Sequence, residues 1–186
     1  MNKLLTFIAL ILVTVTSYAQ DGSKTGIIYG KNHAFFVTAP EGWVLDNQSG
    51  VADGLFAVFY EEGQTWQGAE NVMYVTTASL EVKKHKTLKK LIAYDIKKFK
   101  KHSPKIKIEY HDTLITQDSA SAIVVNFFGD SNGNYESVAY IDAGKTAVMI
   151  VMSSRSEASH RKSYAAFESL VRSYFFISEN VNFENN

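Results

Sequence analysis

A lysine-rich segment is the part of this sequence best suited to binding a charged partner, because it concentrates positive charge. Residues 83–107 hold eleven lysines and one acid, whereas residues 21–82 hold two lysines and eight acids, and residues 108–186 hold five bases and ten acids. Such a segment can bind an anionic partner such as phospholipid, lipopolysaccharide, a cell-wall polymer, nucleic acid or an acidic protein. The alternative is a solvated helix face whose lysines pair with acids of neighbouring loops. The candidate residues for an anionic partner are Lys89, Lys90, Lys97, Lys98, Lys100 and Lys101.

An aromatic edge formed by Trp43, Tyr60 and Trp66 is the second candidate site. Both tryptophans lie in or next to predicted loops, so they could line the mouth of one cleft beside Glu61 and Glu62. Aromatic planes next to carboxylates suit a sugar or a small cationic ligand. The alternative is that each tryptophan covers the core under its own loop.

Catalytic and metal-binding patterns are weak in this chain. Glu61 and Glu62 point in opposite directions if both lie in a strand, which disfavours a paired acid and base. The sequence has no nucleophile elbow and no glycine-rich phosphate loop, and its five histidines lack metal-ligand spacing. Residues 130–141 resemble a calcium loop only superficially, because position twelve is Ile141 instead of glutamate. We therefore expect no catalytic residues, cofactor or metal.

The elements that position these residues follow from hydrophobic periodicity. Segments 27–37, 43–45, 54–60 and 72–78 predict strands, the first as one bent strand or two short ones. Apolar residues then recur at helical spacing between Thr87, a potential N-cap, and Pro104, which predicts an amphipathic helix. Its buried face would comprise Leu88, Leu91, Ile92, Ile96 and Phe99.

The second half of the chain predicts an antiparallel meander followed by a helix. Four strands at 106–115, 120–128, 135–141 and 146–152 are joined by short turns, including Asn132-Gly133. The last helix would begin near Ser154, with Glu157 completing a capping box. It would present Tyr164, Phe167, Leu170, Val171, Tyr174 and Phe175 to the sheet. This order predicts an α+β fold, an antiparallel sheet with helices packed against it.

Three segments resemble the PsbP-like superfamily. They are the Phe-Phe-Val-Thr-Ala-Pro-Glu-Gly-Trp stretch at 35–43, the strand containing Ala-Val-Phe-Tyr at 57–60, and the helix end at 167–175. The resemblance implies an α/β/α sandwich and mostly accessory or binding roles without a shared active site. A fold alone does not carry a function, so no functional residue follows from it.

The beginning of the chain predicts export. Lys3 precedes an apolar run from Leu4 to Val15, and Ser17 and Ala19 suit a cleavage site, so residues 1–19 are typical of a signal peptide. We expect cleavage after Ala19, a single domain over residues 20–178, a polar, frayed tail over 179–186, and a periplasmic or extracellular destination. The chain has no cysteine, which excludes disulfides and a lipid-modified cysteine.

These observations favour an exported, non-enzymatic accessory or binding protein of the cell envelope, with nucleic acid disfavoured by the zero net charge. Two alternatives belong to other classes. One is a small envelope hydrolase that uses Glu61 or Glu62 with His111 or His160. The other is a structural subunit of an envelope assembly, which would expose a contiguous apolar patch.

Overall fold

The computed structural model describes residues 24–30 and 32–180. The predicted signal peptide and residues 181–186 of the predicted polar tail lie outside these ranges. The helices are α1 Leu88–His102 and α2 Glu157–Arg172. The strands are β1 Thr25–Gly30, β2 His33–Thr38, β3 Trp43–Asp46, β4 Val58–Glu61, β5 Asn71–Ser79, β6 Lys107–Tyr110, β7 Leu114–Ile115, β8 Ser121–Phe128, β9 Tyr135–Ala143, β10 Thr146–Ser154 and β11 Phe175–Ser178.

Two antiparallel sheets form the framework. The larger has the order β3-β4-β5-β10-β9-β8-β6, with β7 also paired to β8, and the smaller has the order β1-β2-β11. The predicted meander is present, because β6, β8, β9 and β10 are adjacent antiparallel neighbours. The chain thus has the predicted α+β architecture, an antiparallel sheet with helices packed against it.

The larger sheet separates two hydrophobic cores. Alternate residues of a strand point to opposite faces, and β9 shows the consequence. Ala139 and Ile141 join the core that contains α2, whereas Val138 and Tyr140 join the core that contains α1. The two helices therefore lie on opposite faces of the sheet.

Helix α1 has the bounds that its sequence predicts. The Thr87 side chain accepts a hydrogen bond from the Lys90 backbone N–H at 3.3 Å, which is the N-cap arrangement. The helix ends at His102, two residues before Pro104. Its apolar stripe faces the sheet, with three residues buried and Ile96 and Phe99 partly buried against the same core; the buried three are Leu88, Leu91 and Ile92.

Several predicted boundaries differ from the structure for local reasons. The first predicted segment is two antiparallel strands, β1 and β2. Residues 54–57 are not in a strand, because a short 3-10 turn at Val51–Asp53 ends at Gly54 with a φ of 76° and delays the strand to Val58. The strand predicted at 72–78 is β5, which is one residue longer at each end.

The predicted strand 106–115 is split into β6 and β7 by an extra residue. Tyr110 pairs with Val125 and Leu114 pairs with Ala122, so four steps along one strand match three along its partner. This is the register change of a β-bulge.

The beginning and end of α2 were also predicted wrongly. Ser154 is the last residue of β10, and Ser156 is the N-cap, where its side chain accepts from the Ser159 N–H at 3.2 Å. Phe175 does not belong to the helix. It begins β11, which pairs with β2, and its side chain is 37% exposed.

Candidate binding site on the α1 side of the sheet

The six predicted lysines form an exposed surface on α1, called here the lysine face: Lys89, Lys90, Lys97, Lys98, Lys100 and Lys101. At 100° per residue, Lys90, Lys97 and Lys101 lie opposite the buried stripe, while Lys98 lies on one flank. Within the described ranges, no carboxylate lies within 4.0 Å of any of the six ammonium groups. The lysines are therefore not neutralised by ion pairs with neighbouring loops.

Part of this charge also suits the helix itself. Lys100, Lys101 and His102 occupy the last turn of α1, where positive charge interacts favourably with the helix dipole. The ring Nδ1 of His102 lies 2.8 Å from the Lys98 carbonyl oxygen and donates to it. Repulsion between Lys97 and Lys101, one turn apart, costs a few tenths of a kcal/mol. The two effects roughly offset one another, so helix stability does not explain the accumulation of lysine.

A cleft of about 380 Å³ lies beside α1, over the part of the sheet that the helix does not cover. Its floor consists of side chains from three neighbouring strands, β5, β10 and β9, and its walls come from α1 and the β8–β9 turn. The floor residues are Tyr74, Thr76, Met149, Val151, Glu136, Val138 and Tyr140, and the wall residues are Asp95, Lys98, Phe99, His102, Ser103, Asp130, Ser131 and Asn132.

Two carboxyl groups of this cleft, those of Glu136 and Asp95, have raised pKa values. Burial is the main cause that raises the pKa of Glu136 to about 7; the hydrogen bond from the Ser153 hydroxyl at 3.3 Å opposes the shift, and the negative charge of Asp130 contributes to it. Burial also raises the pKa of Asp95, whose carboxylate accepts a hydrogen bond from the Tyr140 hydroxyl at 3.2 Å. Carboxyl groups with raised pKa values in a cleft are typical of functional sites.

The predicted aromatic edge is only partly assembled. Trp66 lies beside the cleft, since its ring meets the Tyr74 ring edge-on at 6.3 Å and its indole N–H donates to Asp53 at 3.0 Å. The Tyr60 hydroxyl donates to Asp46 at 2.7 Å. Trp43, by contrast, is 5% exposed and belongs to the core under α2, on the opposite face of the sheet. The expectation that Trp43 and Trp66 line one cleft is therefore wrong.

The side chains proposed for a hydrolase are engaged elsewhere. The Glu61 carboxylate accepts from Lys162 at 3.3 Å and from Ser163 at 3.4 Å, and Glu62 lies 4.0 Å from Lys24. In the described part of the chain, neither carboxylate forms a hydrogen bond with His111 or His160. No group of three or more histidine, aspartate or glutamate side chains that could hold a metal ion occurs among residues 24–30 and 32–180.

His160 and Ser137 form a buried pair that resembles a catalytic dyad. The Ser137 hydroxyl donates to the Asn126 side-chain oxygen at 2.7 Å, so at 2.8 Å it accepts from Nε2 of His160. With its proton on Nε2, His160 cannot accept the serine proton. Both residues are buried, and burial lowers the pKa of His160. The two side chains therefore satisfy each other's hydrogen-bonding groups inside the core, which is a structural role.

Sequence reasoning missed Glu136, Tyr74, Asp95 and Tyr140. A signal was present in the alternation of β9: Glu136 is in phase with Val138 and Tyr140, which face the α1 core. A carboxylate in phase with buried positions is unfavourable unless something compensates its charge.

A second groove carries exposed apolar side chains. Ile27, Tyr29 and Phe56 are 65%, 59% and 68% exposed and line the same groove near β1. An assembly subunit would expose such residues, so that alternative stays a hypothesis. In the described ranges, no helix is both long and apolar enough to cross a membrane.

Comparison with known proteins identifies the fold. No protein-family model matches the chain, and no curated protein matches it. The structure is similar to cyanobacterial PsbP (CyanoP) from Synechocystis sp. PCC 6803, with a TM-score of 0.51 and 13% identity over 88% of this chain and 99% of that protein. The chain therefore has a PsbP-like fold, as the sequence resemblance predicted.

Two further solved structures align more weakly. They are the Ran-binding protein Mog1p of Saccharomyces cerevisiae, with a TM-score of 0.48 and 16% identity over 83% of this chain and 95% of that protein, and a protein from Bacteroides thetaiotaomicron VPI-5482, with a TM-score of 0.46 and 10% identity over 87% of this chain and 51% of that protein. At these identities the comparisons describe the fold alone, and function has to be argued from the surface.

Proposed function

We propose that this protein is an exported, non-enzymatic accessory or binding protein of the cell envelope, and that the lysine face docks it on an anionic envelope surface. The observation that carries this proposal is the set of six exposed ammonium groups on one helix without a carboxylate within 4.0 Å among the described residues. Export rests on residues 1–19, which are typical of a signal peptide.

The chemistry of the basic groups supports a diffuse anionic surface as the partner. Residues 83–107 contain eleven lysines and no arginine. Lysine carries a compact, strongly hydrated charge, whereas arginine is favoured where a single phosphate or carboxylate is bound in a fixed geometry. Lysines near an anionic membrane each contribute about 1 kcal/mol.

The apolar side of α1 is not available to a bilayer. Leu88, Leu91 and Ile92 are buried against the sheet, so the helix cannot insert its apolar stripe without leaving the protein core. The proposed contact is therefore peripheral and electrostatic, and it depends on the outward lysines.

The test is cosedimentation with phosphatidylcholine vesicles that contain phosphatidylglycerol, at low ionic strength. Neutralising Lys97, Lys100 and Lys101 together to glutamine keeps good helix formers and removes three charges, so we expect the affinity to fall by at least about tenfold. The matched control neutralises Arg161, Lys162 and Arg172, which are exposed on α2 across the sheet. Equal losses in both variants, or no loss in the first, would contradict docking through the lysine face.

A further inference from the structure

The Glu136 carboxylate faces the cleft beside α1 without a cationic partner. Glu136 lies on β9 between Phe127 of β8 and Ser153 of β10. One carboxylate oxygen, Oε1, accepts the Ser153 hydroxyl at 3.3 Å. The other oxygen makes no hydrogen bond or ion pair to any residue within 24–30 and 32–180. Carboxylates withdrawn from water are normally paired with a cation or fully hydrogen-bonded.

The charged groups near Glu136 do not supply the cationic partner that its carboxylate lacks. Asp130 adds a second negative charge at the same end of the cleft and disfavours the ionised form of Glu136. Lys98 also lines the cleft, but its charge acts on Asp95 and is not among the groups that perturb Glu136. The Nδ1 of His102 donates a hydrogen bond to the Lys98 carbonyl oxygen. The end of the cleft at Glu136 therefore carries negative potential.

The sheet places an aromatic ring diagonally across from this carboxylate. Val151 of β10 is paired with Tyr74 of β5, and Ser153, two residues further along β10, is paired with Glu136 of β9. The strands of Tyr74 and Glu136 are therefore about 10 Å apart with β10 between them, and the two residues are offset by two positions along the strands. The shorter side chains of Val151 and Ser153 lie between them, which leaves a trough.

The walls of this trough suit a ligand with one charged and one apolar end. The Tyr74 ring, backed by the edge-on ring of Trp66, offers an aromatic surface on which an apolar group can pack. Val138, Met149 and Phe99 supply apolar contacts next to it. The floor is mostly apolar, while the walls carry the polar and charged side chains that orient a ligand in a small-molecule site.

We infer that this cleft binds a small organic ammonium ion, with Glu136 as its counter-ion and the Tyr74 ring as the wall on which its apolar body packs. The site shares Lys98 with the lysine face, but its proposed ligand contacts are Glu136 and Tyr74 on the sheet. The ligand's ammonium group supplies the cation that Glu136 lacks, and its apolar body displaces water from the trough.

Binding should strengthen as the pH rises from 6 to 8. The pKa of Glu136 lies at about 7 in the free protein, so its ionised fraction rises from about 0.1 to 0.9 and the affinity rises by about tenfold. The titratable groups that line the cleft around Glu136 are Tyr74 on β5, Tyr140 on β9, Asp130 in the β8–β9 turn, and Asp95, Lys98 and His102 on α1.

The experiment is isothermal titration of the protein with 2-phenylethylamine, its neutral analogue 2-phenylethanol, and the anion phenylacetate. We expect saturable binding of the amine and at least about tenfold weaker binding of the other two. Glu136→Gln, which preserves shape, should reduce the affinity for the amine to that of the alcohol and remove most of the pH dependence. The matched control is Asp142→Asn, an exposed carboxyl near the end of β9, which should bind like the native protein.

Three results would contradict the proposed ammonium site. Equal binding of the amine and the alcohol, undiminished binding by the Glu136→Gln variant, or failure of the native protein to bind the amine at pH 8 would overturn it. A thermal unfolding curve of each variant shows whether the protein tested is folded, and the conservative Tyr74→Phe substitution, which keeps the ring, should retain binding.

Discussion

Glu136 and His160 show how surroundings decide what an ionisable side chain can do. His160 is buried with its Nε2 bonded to Ser137, which in turn donates to Asn126, and burial lowers the pKa of His160. Glu136 is partly exposed and lines a cleft, and among the described residues only one of its carboxylate oxygens has a hydrogen bond. A polar side chain bonded within the core has a structural role, whereas one with an unused polar atom in a cleft is available to a ligand.

The protonation of Glu136 predicts a pH-dependent stability. Its pKa in the folded chain, about 7, lies above its ordinary value of 4.5, so the folded state holds the proton more tightly. The group contributes nothing below about pH 4.5 and destabilises the fold progressively as the pH rises to about 7, by about 3 kcal/mol in total.

Urea unfolding of the native protein and the Glu136→Gln variant measures this effect. The difference in unfolding free energy should grow in favour of the variant between pH 5 and pH 8. Taking the difference cancels other titrating groups such as His160, whose lowered pKa acts in the opposite direction. A difference that stays constant with pH would show that Glu136 keeps an ordinary pKa.

At the scale of elements, α1 has two different faces. Its apolar stripe anchors the helix on the sheet, and its lysines face solvent, so the proposed docking surface is held on a rigid support. Thr87 begins the helix and Pro104 follows its end. The same helix also forms one wall of the cleft through Phe99 and Lys98.

The N-cap gives a prediction for this element. Thr87→Ala removes the hydrogen bond to the Lys90 N–H and should lower the free energy of unfolding by about 1 kcal/mol. Thr113→Ala, at an exposed position between β6 and β7, should change it by less than about 0.5 kcal/mol. Equal effects of the two substitutions in urea unfolding would show that the cap does not stabilise α1.

Sequence periodicity predicted the elements that are determined locally. Helix α1 has a continuous apolar stripe, a cap and a terminating proline, so its bounds were predictable. The bulge between β6 and β7 was not, because it depends on the register with β8. β11 was missed for a similar reason, since Phe175 and Phe176 pair with β2, far away in sequence.

At the scale of the molecule, the larger sheet brings together strands that are far apart in the sequence. Pairing of β5 with β10 places Tyr74 one strand from Glu136, and this pairing between the two halves of the chain has no signature in local periodicity. The lysine face was visible in the sequence because it lies within one helix, whereas the cleft was invisible because three strands build it. The PsbP-like fold describes the framework alone, and the functions proposed above rest on the lysine face and the cleft.

The most direct test of docking through the lysine face is the salt dependence of vesicle binding by residues 20–186. Phosphatidylglycerol-containing vesicles and pure phosphatidylcholine vesicles are compared at about 10 mM and about 150 mM ionic strength, where the screening length falls from about 30 Å to about 8 Å. We predict binding to the anionic vesicles alone, strong at low salt and several-fold weaker at high salt. Failure to bind anionic vesicles at low salt, or binding that is indifferent to salt or to lipid charge, would contradict the account.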